Sequence, residues 1–240
     1  GYQIAYGFIA HVDNIGPYDP KAMTLFDYRT DHLEPGSAAL ADAIDRPTFM
    51  YVMPLQQYPD GSYRVFFEET SLVGEGKRRL SFETCKARAM KRLEFLGIDV
   101  LGLEEEEYCY IPMGGELPDR FQRVVGFGAA ANMVHPSTGY QVCRMMASAN
   151  DVAENIAKGV HSGIPPDVLA ATTYSKIWNR RSRGQRNFQV YGGSFLEQQP
   201  VSILRGFFSA FFALDDAVWG GFLAGYPSLP GSHLHETWRA

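Results

Sequence analysis

The sequence predicts a mixed α/β fold of the α+β kind, with an antiparallel sheet in the first part and helices in the rest. Three observations predict it. Residues 2–12, 48–54 and 63–73 are rich in aromatic and β-branched residues, and a short turn joins the last two. From Ser81 onward the apolar period changes from two to that of a helix. A strand, a Gly- and Ala-rich loop and a helix are predicted in succession between Arg123 and Lys158.

The elements follow in order. Residues 2–12 alternate and carry Tyr, Ile and Val, as a strand does. Asn14 to Pro20 is a turn cluster, and Met23 to Tyr28 is a second strand. Glu34 to Arg46 reads as an exposed connection. Thr48 to Pro54 is the third strand, Gln56 to Ser62 with Pro59-Asp60-Gly61 is a hairpin turn, and Tyr63 to Val73 is the fourth. Ser81 caps a helix over Phe82 to Leu96, with Phe82, Cys85, Ala89 and Leu93 on one stripe and Gly97 as its stop. Short strands at Ile98 to Leu103 and Glu107 to Ile111 flank the acidic run Glu104 to Glu107, a solvated turn or edge. Arg123 to Phe127 is a further short strand. A helix is expected from near Pro136 to about Lys158, with Val142, Met145, Met146, Ala149, Val152 and Ile156 inward. Helices over Pro166 to Arg180, Gly184 to Phe195 and Val201 to Leu214 complete the chain, before an aromatic segment and a Gly- and Pro-rich tail.

Composition narrows the function. Of 240 residues, 45% are hydrophobic and 20% charged, enough to bury a core. A net charge of -5 gives no basic footprint for nucleic acid, and the cluster Arg180, Arg181, Arg183 and Arg186 reads as a solvated helix end. Three scattered cysteines make no disulfide framework and suit a reducing compartment. The N-terminal GYQIAYGFIA is no signal peptide and reads as a strand entered in mid-fold, so the chain is expected to be a fragment. His233, His235 and Glu236 have metal-ligand chemistry, but paired histidines near a chain end carry little weight, and no metal is expected.

The segment FFEETSLV, Phe66 to Val73, places two carboxylates inside an apolar strand. Strand period puts Glu68 with Phe66, Thr70 and Leu72, and Glu69 with Phe67, Ser71 and Val73. A carboxyl held on an apolar strand has a raised pKa and keeps a proton near neutrality, as a general acid requires. The competing reading is a pair of sheet-edge carboxylates bonded to Arg64 or Lys77.

A second motif lies at VVGFGAAANMVHPSTGY. Gly126, Gly128 and Ala131 satisfy GxGxxG/A, but the loop runs on to Pro136 instead of opening a helix directly. Gly128, Ala130, Ala131, Pro136 and Gly139 fit better the late segment of aromatic-hydroxylase-type flavoproteins, in which a loop and a helix N-terminus meet the flavin. Ala129 and Asn132 stand where that motif has Asp and His.

These segments, with GYQIAYG at 1–7, FDYR at 26–29, PTFMYVMP at 47–54, LGIDV at 96–100 and YIPMGGELP at 110–118, resemble the plant and algal lycopene cyclases of both β- and ε-ring types. PMGG, EETSLV and HPSTGY look β-like, whereas FFEET, FDYR and FGAAA look ε-like. The resemblance spans nearly all of residues 1–225 and implies the C-terminal part of an aromatic-hydroxylase-like FAD flavoprotein. A substrate-domain sheet and helix over 1–118, with part of the FAD domain, would precede a flavin-contacting strand, loop and helix over 119–160 and a C-terminal helical region over 161–240, possible membrane contact included. The resemblance implies that the N-terminal Rossmann half of the family's full-length protein is missing from this chain.

The implied activity is non-redox cyclisation of the linear ends of lycopene to β-rings, by protonation, ring closure and deprotonation, with ε-ring closure as the alternative and an FAD-dependent monooxygenase of similar fold below it. The implied cofactors are FAD in its reduced form and NADPH as electron source. The implied catalytic acid is Glu68, with Glu69 as its partner and Asp27 as a further candidate. Gly126, Gly128, Ala129, Pro136, Ser137, Thr138 and Gly139 are the implied cofactor-binding residues. The implied partners are lycopene and a membrane surface in the plastid, with the cluster Phe207, Phe208, Phe211, Phe212, Trp219 and Phe222 suited either to a bilayer surface or to an ordinary core.

Overall fold

The computed structural model describes residues 1–74 and 76–224. Their contacts divide them into two units, one formed by residues 1–111 and 197–206, the other by residues 112–196 and 207–224.

The first unit is built on a five-stranded sheet in the order β2-β3-β4-β1-β5. Its strands are β1 (Tyr2–Val12), β2 (Thr24–Asp27), β3 (Thr48–Gln57), β4 (Tyr63–Ser71) and β5 (Val100–Pro112). The pairs β1/β4, β3/β4 and β2/β3 are antiparallel, as the turn between residues 57 and 63 requires. Register places Glu68 opposite Gly7 on β1 and opposite Tyr51 on β3.

Helix α2 (Phe82–Phe95) covers one face of this sheet. Ser81 caps it, its hydroxyl accepting from the Thr84 N–H, and Gly97 follows with φ +65°. The expected stripe is the one used. Cys85, Ala89 and Leu93 are buried against Tyr6, Phe8, Met50, Val52, Val65 and Phe67, with Phe82 at the margin.

Two readings of this unit are corrected. Glu34 to Arg46 contains helix α1 (Ala38–Asp45), capped by Ser37, whose hydroxyl accepts from the Leu40 N–H. The Ser-x-x-Leu cap and the Ala-rich turn after it are helix signals that the surrounding Pro35 and Gly36 obscure. Residues 98–111 are not two strands about a turn but the single strand β5, and the acidic run sits within it at the sheet edge. An edge strand open to solvent tolerates four consecutive carboxylates that a central strand would not.

The second unit is helical: α3 (Val142–His161), α4 (Pro166–Ile177), α5 (Arg180–Glu197), the end of α6 (Val201–Phe212) and α7 (Asp216–Ala224). Trp178, Ile177, Ala131 and Met133 form its small core, and the Trp178 indole N–H donates to the Ala131 carbonyl at 2.8 Å.

Three further readings are corrected here. Residues 123–127 are not a strand, and Val124 is 82% exposed. A strand exists only as a ladder with a neighbour, and this run has none among the described residues. The helix expected at Pro136 begins at Val142. Residues 136–139 instead close one turn, in which the Thr138 and Gly139 N–H groups both donate to the His135 carbonyl and Gly139 takes φ +80°. On α3, Met145 and Val152 pack against the Trp178 core, but Val142, Met146 and Ile156 are exposed. The basic cluster also divides, because Arg180, Arg181 and Arg183 are exposed while Arg186 is buried and donates to the Gly115 carbonyl.

Candidate active site

Alternation along β4 sends the adjacent carboxylates to opposite faces. Glu69 points to the α2 side and is 0% exposed. Its carboxylate accepts from Arg92 Nη2 at 3.0 Å and Nε at 3.1 Å, and from the Thr48 hydroxyl at 2.6 Å. Arg92 reaches on to the Arg29 carbonyl at 2.8 Å and lies 3.8 Å from Asp27. Asp27 accepts from the Tyr18 hydroxyl and from the backbone and guanidinium of Arg29. Burial by itself would push the Asp27 carboxyl up, but the Arg29 hydrogen bonds and the Arg92 charge outweigh it and hold the pKa below the usual carboxylate range.

Two of the three candidate catalytic carboxylates, Glu69 and Asp27, thus meet through one arginine that sequence reading passed over. The signal was present. Arg88 and Arg92 sit one turn apart on the same α2 stripe as Cys85 and Ala89, a place where a charge must be paired.

Glu68 has different company. It lies on the face away from α2, and no cation pairs with it among the described residues. The Thr70 hydroxyl donates to Glu68 Oε1 at 2.6 Å. Cross-strand Tyr51 stands beside it, and Tyr51 joins an aromatic wall with Phe26 and Phe49 at ring separations of 5.0–5.5 Å. Burial raises the Glu68 pKa; the Thr70 hydrogen bond opposes the rise and the Glu107 charge adds to it. The net direction is upward, so Glu68 holds its proton more tightly than a free carboxyl does.

The loop residues lie in the second unit. Gly126 has no room for a side chain, since a Cβ there would stand 2.6 Å from the Ala130 carbonyl oxygen. Gly128 takes φ +66° at the start of a 3-10 turn over Gly128–Ala131, with Ala129 exposed beside it. Pro136 and Thr138 are buried, and Ser137 donates its hydroxyl to the Gln189 carbonyl at 2.7 Å. Around them several buried polar atoms have no partner among the described residues: Asn132 Oδ1, His135 Nε2, Thr138 Oγ1, Gln141 Oε1 and Arg144 Nη1. Buried polar groups are nearly always bonded, so this concentration sets the loop apart from an ordinary packed interior. Because α3 starts at Val142, the helix N-terminus expected at Pro136 does not contribute there.

Among the described residues no cluster of His, Cys, Asp or Glu is placed to hold a metal ion. His233, His235 and Glu236 lie outside the described residues. Cys85, Cys109 and Cys143 are free thiols. Among the described residues no helix is long and apolar enough to cross a membrane.

The sequence matches the family described as "Lycopene cyclase protein" over residues 1–234. It is 42% identical over 236 residues to a lycopene beta cyclase of Capsicum annuum, covering 96% of this chain and 45% of that one. It is 42% identical over 234 residues to a lycopene beta cyclase of Arabidopsis thaliana, covering 96% of this chain and 45% of the relative. A neoxanthin synthase of Solanum tuberosum is 40% identical over 230 residues, with 93% and 44% covered. The chain spans about half the length of the curated relatives it matches.

Proposed function

The chain belongs to the lycopene cyclase family, and from that premise we propose that it is part of an enzyme closing β-rings at the linear ends of lycopene, with Glu68 as the proton donor. The observation that carries the assignment is the contrast within one dipeptide. Glu69 is locked to Arg92, whereas Glu68 has no cationic partner among the described residues, keeps a raised pKa and faces aromatic rings.

The chemistry balances on this chain's own residues. Protonated Glu68 gives its proton to the terminal alkene carbon, and the electron pair of that double bond forms the new C–H bond. The neighbouring double bond attacks the resulting cation and closes the ring through a new C–C bond. Loss of a ring proton to a carboxylate restores the double bond, so proton count and redox state are unchanged. An alkene is a weak base, so the acid has to be dry and close, and the rings of Tyr51, Phe26 and Phe49 offer π-faces to the cation. Glu69 and Asp27 act in this reading as positioning residues that brace β4 through Arg92.

The loop fits a flavin. Gly126, Gly128, Ala129, Pro136, Ser137, Thr138 and Gly139 would hold FAD, supported by the backbone without room at Gly126 and the unpartnered polar atoms of Asn132, His135 and Thr138. FAD reduced by NADPH would supply an electron-rich ring to stabilise positive charge, without net hydride transfer. On this reading the whole is the C-terminal part of an aromatic-hydroxylase-like flavoprotein and an intramolecular lyase or isomerase. The exposed apolar residues Val142, Met146, Ile156 and Val160 of α3 fit contact with the nucleotide-binding half of the longer protein. The exposed Phe207 and the Phe211 ring stacked on it fit a membrane surface. Relatives named chloroplastic support a plastid location.

The test is pigment analysis in lycopene-accumulating bacteria expressing the full-length protein. Cyclic β-carotenes are expected, with none from Glu68→Gln, while flavin stays bound. Full cyclisation by that variant removes Glu68 from the mechanism, and ε-rings or neoxanthin as the product overturn the β-ring assignment.

A further inference from the structure

The acidic run Glu104 to Glu107 reads as solvated, yet its members differ. Glu106 turns to the α2 side, where it accepts from the Tyr6 hydroxyl and from Lys86, both at 2.5 Å. Glu104 is tied to Arg64 at 2.8 Å. Glu107 lies over Gly7. A Cβ built on Gly7 would stand 2.7 Å from Glu107 Oε1 and 2.8 Å from its Cγ, so only glycine at this position lets the Glu107 side chain fold onto β1.

Gly7 is also the cross-strand partner of Glu68. Directly opposed residues of an antiparallel pair have Cα atoms about 4.5–5.5 Å apart. Glu107 and Glu68 therefore flank one strand position that carries no side chain, and the Glu107 charge is felt at Glu68. The phenyl ring of Phe66 closes the gap from β4, 3.1 Å from the same built Cβ.

We propose that Glu107 is a positioning residue of the ring-closing site, its negative charge held over Gly7 so that the proton stays on Glu68. The inference rests on Glu68 being the proton donor. Like charges a few ångströms apart cannot both be ionised cheaply, so a neighbouring carboxylate favours the protonated acid. Glu107 is solvent-exposed in the chain by itself, which screens this effect. An apolar polyene laid on the face removes that water, and the repulsion strengthens at the moment the proton is needed.

The titratable groups facing Glu68 are few. β3 presents Tyr51, β5 presents Glu107 and Cys109, β1 presents glycine, and on β4 itself Arg64 is engaged by Glu104. Burial, with the charges of Glu107 and Glu68, pushes the Cys109 thiol up to about 11, so it stays neutral. Among the described residues, Glu107 is the neighbour whose charge raises the Glu68 pKa.

The experiment compares Glu107→Gln, Glu68→Gln and the wild type as full-length protein, on lycopene in phosphatidylcholine vesicles, across pH. Activity needs protonated Glu68, so it falls as pH rises through the Glu68 pKa. In Glu107→Gln that alkaline limb should move down by about one pH unit, giving about a tenfold loss of kcat/KM above the limb and none below it. A second readout is independent of turnover. The infrared carboxylic acid band absent from Glu68→Gln should titrate at correspondingly lower pH in Glu107→Gln. An unmoved band, or a loss of rate equal at every pH, overturns the proposal for Glu107. Undiminished cyclisation by Glu68→Gln instead overturns the proton-donor reading on which it rests. Gly7→Ala, which drives a Cβ into Glu107, should shift the limb in the same direction as Glu107→Gln, and no shift in a folded Gly7→Ala protein counts against the geometry.

Discussion

Glu69 and Arg92 form a buried pair, joined by two hydrogen bonds at 3.0 and 3.1 Å, with 0% and 3% of their side chains exposed. Around it the Thr48 hydroxyl donates to Glu69, the Arg29 carbonyl accepts from Arg92, and Asp27, to which Tyr18 donates, lies 3.8 Å from Arg92. Breaking such a pair leaves a buried charge without compensation. Glu69→Gln should therefore lower the unfolding free energy by about 3–5 kcal/mol, measured as a shift of the urea midpoint. A shift below about 1 kcal/mol contradicts the structural role given to Glu69.

Thr70 and Glu107 act on Glu68 in opposite senses. The Thr70 hydroxyl favours the carboxylate, so its removal should raise the Glu68 pKa further. In Thr70→Val the alkaline limb of the cyclisation profile should move to higher pH, with the rate below the limb kept. Movement toward lower pH means that the hydroxyl stabilises the protonated form instead.

His135 gives stability a pH dependence. Burial, helped by the Arg144 charge, lowers its pKa from 6.5 to about 3. Between those values the unfolded chain binds a proton that the folded chain refuses, so stability falls as pH falls. The slope approaches about 1.4 kcal/mol per pH unit in the middle of the window. His135→Leu should flatten denaturation midpoints between pH 4 and 6.5 relative to wild type, and an unchanged slope removes His135 as the cause.

The Ser81 cap is a local test of the fold. Ser81→Ala deprives the Thr84 N–H of its acceptor and should cost about 1 kcal/mol, read as a lower thermal midpoint with the spectrum of the folded state retained. No change in midpoint shows that α2 is held by packing alone.

Much of the sheet was legible because its signals are local. Alternation in β1, β3 and β4, the Pro59-Asp60-Gly61 turn and the Ser81 cap each act within a few residues, and each appears where expected. The same alternation separated Glu68 from Glu69. Failures came where the outcome depended on distant partners. Residues 123–127 have strand composition but no ladder, and Glu104 to Glu107 have turn composition but lie along β1. The helix after Pro136 was delayed because Gly139 and the His135 carbonyl close a turn first.

For the site, the chain of residues dictates which carboxylates exist, their period along β4, and the family to which the chain belongs, from which the chemistry proposed for them follows. Register alone decides what each one touches. Arg92 comes from a helix 23 positions away to claim Glu69, and Glu107 lies over Gly7, the cross-strand partner of Glu68. A proton's affinity for a carboxyl is set by charges and water within a few ångströms, and those neighbours are assembled only when strands pair.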